Sequence, residues 1–164
     1  MKFRIFPLLM LCFSTSLTCL AQTSEAETDA IVNLLGVQKR EAIGKLVSVT
    51  GKDSVAFWKL YDEYAKKNMA TAKSRIRLYE HTAHAYGNMT PATADSLAGK
   101  YFENRFSQEK SLEEYYKKIK AATNAVIAFE FYQAEVYVLT QIRASIMQQI
   151  PTYGQVAAAE KKNK

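Results

Sequence analysis

The sequence has few cysteines, and both lie near its beginning. Cys12 and Cys19 are its only thiols. They lie in a segment with two early cations, a short apolar run and small residues before position 22. This pattern is typical of a secretory signal peptide over residues 1–21, cleaved after Ala21, and it predicts export to the periplasm. The mature chain is then expected to have no disulfide and no cysteine-bound metal. An alternative is an outer-membrane lipoprotein acylated at Cys19, for which residues 16–18 form a poor recognition sequence.

Known catalytic motifs are absent as well. The sequence has no nucleophile motif, no glycine-rich phosphate loop and no HExxH. The formal net charge of +6 falls to +4 without Lys2 and Arg4, and lysines within 161–164 supply three of those charges. A nearly neutral folded part disfavours a nucleic-acid surface. The early apolar run is too short for a membrane span. We therefore expect no enzyme, no cofactor, no nucleic-acid partner and no transmembrane segment in the mature chain.

Apolar residues recur at helical spacing through the rest of the chain. The pattern predicts four helices, over residues 29–49, 53–86, 91–120 and 124–149. No proline interrupts the second, which would be about 50 Å long at about 1.5 Å per residue. The sequence therefore predicts an all-α fold: a long antiparallel helical hairpin with two further helices, in an extended four-helix arrangement. We expect a flexible N-terminus over 22–28, a helical domain over 29–154 and a disordered basic tail over 155–164.

Start signals precede the two long central helices. Thr50, with Asp53 three residues later, is a weak capping box, and Thr90 precedes Pro91 at the first helical position. Within the third helix, Phe102 and Phe106 are expected to widen the inward-facing side.

The only tryptophan lies in the first turns of the second helix. Phe57, Trp58 and Tyr61 are predicted to anchor the core, because large aromatic rings bury the most area per residue. The alternative for Trp58 is stacking on a ligand.

The sequence contains ten tyrosines, more than a thin helical domain is expected to bury. We expect some of them to line a groove with nearby cations and to bind other proteins there. The alternative is that they are core and boundary residues. The candidate protein-binding residues are Tyr64, Tyr79, Tyr86, Tyr101, Tyr115, Lys66, Lys73, Arg77 and Arg105.

The only two histidines, His81 and His84, lie three residues apart on the second helix. Adjacent turns would let both contact one metal ion, with Glu80 as a further candidate ligand. The alternative is that both imidazoles face solvent, because zinc sites use at least three protein ligands and no complete set is evident.

Several short motifs resemble those of a known group. Residues 50–64 are similar to the LT-x-x-Q element followed by FW-x-x-Y-x-x-Y in secreted helical proteins of Gram-negative bacteria. Residues 89–94 resemble its second LT-x-x-Q element, and residues 131–135 and 149–151 resemble its later motifs. Asp53 and Thr93 stand where that pattern has glutamine. The chain thus resembles Bacteroidetes-like secreted proteins similar to the Spy and CpxP LTxxQ periplasmic family. The resemblance implies a long helical hairpin, often an antiparallel dimer, and ATP-independent chaperoning or modulation of an envelope sensor.

Together these observations predict a periplasmic, non-enzymatic stress protein. It would capture partly unfolded or partner proteins of the envelope on an aromatic and cationic helical face, possibly as a homodimer. The alternatives are a metal-responsive or sensor-modulating protein and a dedicated structural partner of one membrane protein.

Overall fold

Short-range hydrogen bonds set the starts of three of the helices. The computed structural model describes residues 25–162 and contains five α-helices in that range, with no β-strand among those residues. The helices are α1 (Glu25–Leu46), α2 (Gly51–Ala85), α3 (Pro91–Ala122), α4 (Ala125–Gln149) and α5 (Tyr153–Lys162). A 3-10 turn over Tyr86–Asn88 follows α2. The all-α prediction is confirmed. The predicted signal peptide, with Cys19, lies outside the described residues.

Two of the helix starts are capped by side chains. The Thr90 hydroxyl accepts a hydrogen bond from the Thr93 N–H at 3.1 Å, and Pro91 follows at the first helical position. Asn124 Oδ1 accepts from the N–H groups of Val126 and Ile127 at 2.9 and 3.0 Å. These bonds satisfy backbone donors that have no partner inside the helix. Thr50, in contrast, makes no side-chain cap bond.

The two ends of the described chain are helical, the first in a segment predicted to be flexible and the second in a segment predicted to be a disordered tail. α1 begins at Glu25, within the predicted flexible segment, and the Thr28 side chain is fully buried. The predicted tail forms α5, in which alanine and lysine favour helix. The Thr152 carbonyl accepts from the Gln155 and Val156 N–H groups and so begins that helix.

The four long helices pack in a ring, each beside its sequence neighbours, with α1 against α4 closing it. In each neighbouring pair, the chain runs in opposite directions along the two helices. On α1 and α2, Asp29 meets Lys73 and Arg40 meets Asp62, while Asn68 of α2 meets Ser111 of α3. The hairpin of α2 and α3 is therefore antiparallel, and α1 and α4 complete an up-and-down bundle.

The apolar core fills one half of this bundle, next to the α1–α2 and α3–α4 connections. The core cluster includes Phe57, Tyr61, Leu112, Ile119 and Phe131, all at most 1% exposed. Trp58 packs at its edge, so the three predicted anchors lie in or against the core. Polar groups replace apolar ones beyond this cluster: Asn68, Gln108, Ser111 and Glu135 are buried. The far half of the hairpin contains few buried apolar residues, chiefly Leu78 and Leu97.

Candidate protein-binding surfaces

Two of the five candidate tyrosines are core residues. Tyr64 is 0% and Tyr115 is 5% exposed, and their ring centroids are 5.4 Å apart. Tyr64 also contacts the Phe131 ring edge-on, with centroids 5.3 Å apart. Neither ring lies on the surface of the folded chain, so our assignment of them to a binding face needs correction. The reason is that the inward faces of α2, α3 and α4 converge on Tyr64.

The other three tyrosines are half-buried in the far half of the bundle. The Tyr79 and Tyr101 rings lie 5.8 Å apart, as do those of Tyr86 and Tyr153. The Tyr101 hydroxyl lies 2.9 Å from Thr82 Oγ1. Burial raises the pKa of Tyr101, and the hydrogen bond to Thr82 opposes that shift. These rings pack in pairs between elements, so the three candidate tyrosines are partly covered.

The four candidate cations fall into two groups. Lys73 pairs with Asp29 at 2.5 Å and Arg77 with Glu25 at 3.1 Å, so both hold α1 against α2. Lys66 and Arg105 are exposed and make no ion pair within residues 25–162. Lys66 and Arg105 therefore have positive charges that are exposed and not paired within residues 25–162, and a partner could contact them.

A buried polar network crosses the bundle where the apolar core ends. The Glu135 side chain on α4 is 0% exposed, and Lys39 of α1 pairs with its Oε2 at 2.8 Å. The Tyr64 hydroxyl donates to the same oxygen at 2.9 Å and accepts from Gln108 Nε2 at 2.9 Å. Gln108 in turn accepts from Arg75, at 2.8 Å. All four long helices therefore contribute one or more polar side chains to this network.

The network changes the ionisation of its members. Burial, followed by the charge of Glu135, raises the pKa of Tyr64 and of Tyr61 well above the ordinary tyrosine value. Burial, followed by repulsion from Arg143, lowers the pKa of Arg75. Both phenols therefore stay neutral at physiological pH, and Tyr64 acts as a hydrogen-bond donor to the carboxylate. The sequence analysis did not predict this network. The polar residues Asn104, Gln108 and Ser111 interrupt the inward stripe of α3 and could have indicated buried polar contacts there.

Large apolar side chains are exposed on the outer sides of α3 and α4. On α3, Phe102 and Phe106 are 61% and 70% exposed, contrary to our expectation that they face inward. The inward stripe of α3 instead follows Leu97, Tyr101, Gln108 and Ser111–Leu112, which places Phe102 and Phe106 on the opposite side. We call Phe102, Arg105 and Phe106 the α3 surface.

Helix α4 is apolar on both sides. Its inner side contributes Ile127, Phe131, Ala134 and Val138 to the core. Six large apolar side chains on its outer side are between 39% and 67% exposed; we call these the α4 stripe: Val126, Phe129, Tyr132, Val136, Tyr137 and Met147. A helix that is apolar all round is normally covered on all sides.

The histidines lie apart from these surfaces. His81 and His84 are both exposed on α2. Over the range 25–162, no three His, Cys, Asp or Glu side chains are grouped closely enough to hold a metal ion. Within that same range, none of the helices has the length and apolar character needed to span a bilayer.

Comparison of the chain with protein-family models, with curated proteins and with solved structures gave no match.

Proposed function

We propose that this protein is a periplasmic, non-enzymatic binder of other proteins that captures partly unfolded chains without ATP. The exposure of Phe102 and Phe106 carries the proposal. Two phenylalanines one turn apart on a solvent-facing helix side gain little for folding, whereas aromatic rings dominate the energetics of protein–protein contacts. The resemblance of residues 50–64 and 89–94 to the LTxxQ pattern supports the same role.

The charges around the rings favour transient capture. Arg105 lies between the two phenylalanines in sequence, is exposed, and has no ion pair among the described residues. A cation beside apolar rings attracts acidic segments and speeds encounter, while the rings bury the apolar side chains of the captured chain. The α3 surface thus replaces the tyrosine face that sequence patterns suggested.

An aggregation assay tests this proposal. The chain from Gln22 to Lys164 is added, without ATP, to a chemically denatured client at low and high salt. We expect suppression of aggregation at equimolar ratio that weakens at high salt, because the electrostatic part of the encounter is screened.

Substitutions on the α3 surface test whether clients bind there. Phe102→Ser with Phe106→Ser should raise the concentration needed for half-suppression by about tenfold, as expected for loss of two contact anchors. Val55→Ser is the matched control, since Val55 is an apolar side chain 76% exposed on α2. Absence of suppression at several-fold excess of the wild-type chain would overturn the function. Full activity of the double variant would overturn the surface.

A further inference from the structure

Arg75 and Arg143 are half-buried cations that form no ion pair with any of the described residues. On α2, Arg75 donates from Nε to Asn104 Oδ1 at 3.0 Å and from Nη2 to Gln108 Oε1 at 2.8 Å. Both acceptors are neutral amides. On α4, the guanidinium of Arg143 makes no hydrogen bond within residues 25–162 either. Because arginine stays protonated in proteins, two positive charges lie partly out of water without a counter-charge.

The two guanidiniums lie at a similar level of the bundle. Helices α2 and α4 run in the same direction, and the hydrogen bond of 2.9 Å between Tyr64 and Glu135 joins them. At about 1.5 Å per residue, Arg75 lies about 17 Å beyond Tyr64 along α2. Arg143 lies about 12 Å beyond Glu135 along α4, so the two levels differ by only about 5 Å. Burial, followed by repulsion from Arg143, lowers the pKa of Arg75, which agrees with this proximity.

The buried carboxylate of the polar network does not balance these charges. Glu135 Oε2 pairs with the Lys39 ammonium at 2.8 Å, so those two charges cancel each other. Gln108, a neutral amide, lies between Arg75 and the Tyr64 hydroxyl, with a hydrogen bond to each. Buried charges in proteins are normally paired with an opposite charge. Two neighbouring guanidiniums without an acid therefore favour a ligand that brings negative charge.

We infer that Arg75 and Arg143 form a binding site for a phosphate group between α2 and α4. A phosphate monoester carries about −1.5 to −2 at pH 7, which matches two guanidiniums. Guanidiniums bind phosphate oxygens through paired hydrogen bonds, and Arg75 Nη1 has no partner within residues 25–162. Tyr79 lies half-buried one turn from Arg75 on the same side of α2 and can add a phenol donor. The inference does not depend on the proposed capture of unfolded chains.

Titration calorimetry at constant ionic strength measures the binding directly. Inorganic phosphate should bind the chain from Gln22, which contains the whole described bundle, at one site with a dissociation constant of about 1 mM or less. Acetate should bind at least about tenfold more weakly, because one negative charge balances only one guanidinium. Acetate binding as tight as that of phosphate would overturn the assignment to a phosphate group.

A second phosphate compound distinguishes the source of the group. Glucose 6-phosphate that binds as tightly as inorganic phosphate would show that the phosphate group alone is recognised. Tighter binding of glucose 6-phosphate would show that the ligand is a phosphorylated small molecule whose remaining atoms also contact the protein. Binding of neither compound at about ten times the expected dissociation constant would overturn the inference.

Substitutions of Arg143 test the site. Arg143→Met keeps much of the apolar stem, removes the charge and should weaken phosphate binding by at least about tenfold. Its melting temperature without phosphate should equal or exceed that of the wild type, because the repulsion from Arg75 is lost. Arg143→Lys keeps the charge but loses the paired donors, so it should weaken binding by about threefold or more. Lys66→Met is the matched control, because Lys66 is an exposed cation of α2 without an ion pair within residues 25–162, and it should change neither quantity.

Thermal melts give an independent measure, because phosphate should bind only the folded chain. At about a hundredfold excess over the dissociation constant, phosphate should raise the melting temperature by about 5 °C or more. Sodium chloride at equal ionic strength should raise it less, since screening weakens the repulsion without bridging the two guanidiniums. Equal shifts with both salts would overturn the inference, as would unchanged phosphate binding in Arg143→Met. A lower melting temperature of Arg143→Met without phosphate would also overturn it, because it would give Arg143 a structural role instead.

Discussion

The ion pair between Lys39 and Glu135 should be the most sensitive polar contact of the bundle. Lys39→Met keeps most of the apolar stem of that side chain and removes its charge. The Glu135 carboxylate, 0% exposed, would then retain Tyr64 as its one hydrogen-bond donor on Oε2, and its Oε1 has no hydrogen-bond partner already. Removing one partner of a buried ion pair costs about 3–5 kcal/mol, because the other charge stays in a medium that solvates it poorly. That loss is a large fraction of the stability of a typical domain, about 5–15 kcal/mol.

The reciprocal change should cost less. In Glu135→Gln, the Lys39 ammonium, whose side chain is 14% exposed, can extend toward water, and the amide that replaces the carboxylate is neutral. We expect a loss of about 1–3 kcal/mol, that of an altered buried hydrogen bond. The double variant should be destabilised by at least about 1 kcal/mol less than the sum of the two single losses, since the residues are in direct contact.

Urea unfolding, followed by circular dichroism and by Trp58 fluorescence, measures these differences. Trp58 is the only tryptophan and packs against the core, with the Arg40 guanidinium 4.3 Å from its ring centroid. Lys117→Met is the control, because its ion pair with Glu113 is exposed and solvent screens such pairs, so its loss should barely change the stability. A loss below about 1 kcal/mol in Lys39→Met, or strict additivity in the double variant, would refute the claim that this pair is buried and coupled.

The remaining predictions concern one buried phenol, two glycines and one helix cap. The pKa of Tyr64 is raised in the folded state, so the unfolded state loses that proton first and the free energy of unfolding should fall above about pH 10. Tyr64→Phe should reduce this fall by about 1.4 kcal/mol per pH unit. An unchanged dependence of the urea-derived free energy of unfolding on alkaline pH would contradict this. Gly44→Ala should stabilise α1 by about 0.5–1 kcal/mol through the higher helix propensity of alanine, since the added Cβ would lie at an ordinary 3.5 Å from Trp58 Cη2. Gly51→Ala should instead destabilise the protein by about 1–2 kcal/mol, because Gly51 has φ +58°. Thermal melts showing the opposite order would refute both assignments. Asn124→Ala should lower the free energy of unfolding by about 1 kcal/mol, because it removes both hydrogen bonds that cap α4. Asn124→Asp should retain most of that stability, because its carboxylate can accept the same bonds. Equal melting temperatures for the wild type and Asn124→Ala would show that the cap contributes nothing.

Local sequence was sufficient to predict the four long helices and the starts of two of them. The start of α3 was predicted at Pro91, where it lies, and α4 begins at Ala125, one residue after the predicted position. Both starts depend on groups within three residues of one another, Thr90 with Thr93 and Asn124 with Ile127, so the signal is contained in a short segment. The ion pairs Glu113–Lys117 and Glu114–Lys118 were predictable for the same reason, since they lie one turn apart.

What sequence patterns could not decide is which side of each helix is covered. Glu135 and Lys39 are 96 positions apart and meet only because α1 packs against α4. A lone glutamate in an apolar run gives no sign of its partner, and a candidate binding residue such as Tyr64 gives no sign that three helices enclose it. Phe102 and Phe106 looked like core residues because the periodicity of a long helix, interrupted by polar residues, leaves the direction of its inward side ambiguous. The sequence by itself therefore determined the starts of α3 and α4, since the caps that begin them are local. Only the tertiary structure decided which aromatic rings are buried and which remain free to bind, because burial depends on distant segments that pack together.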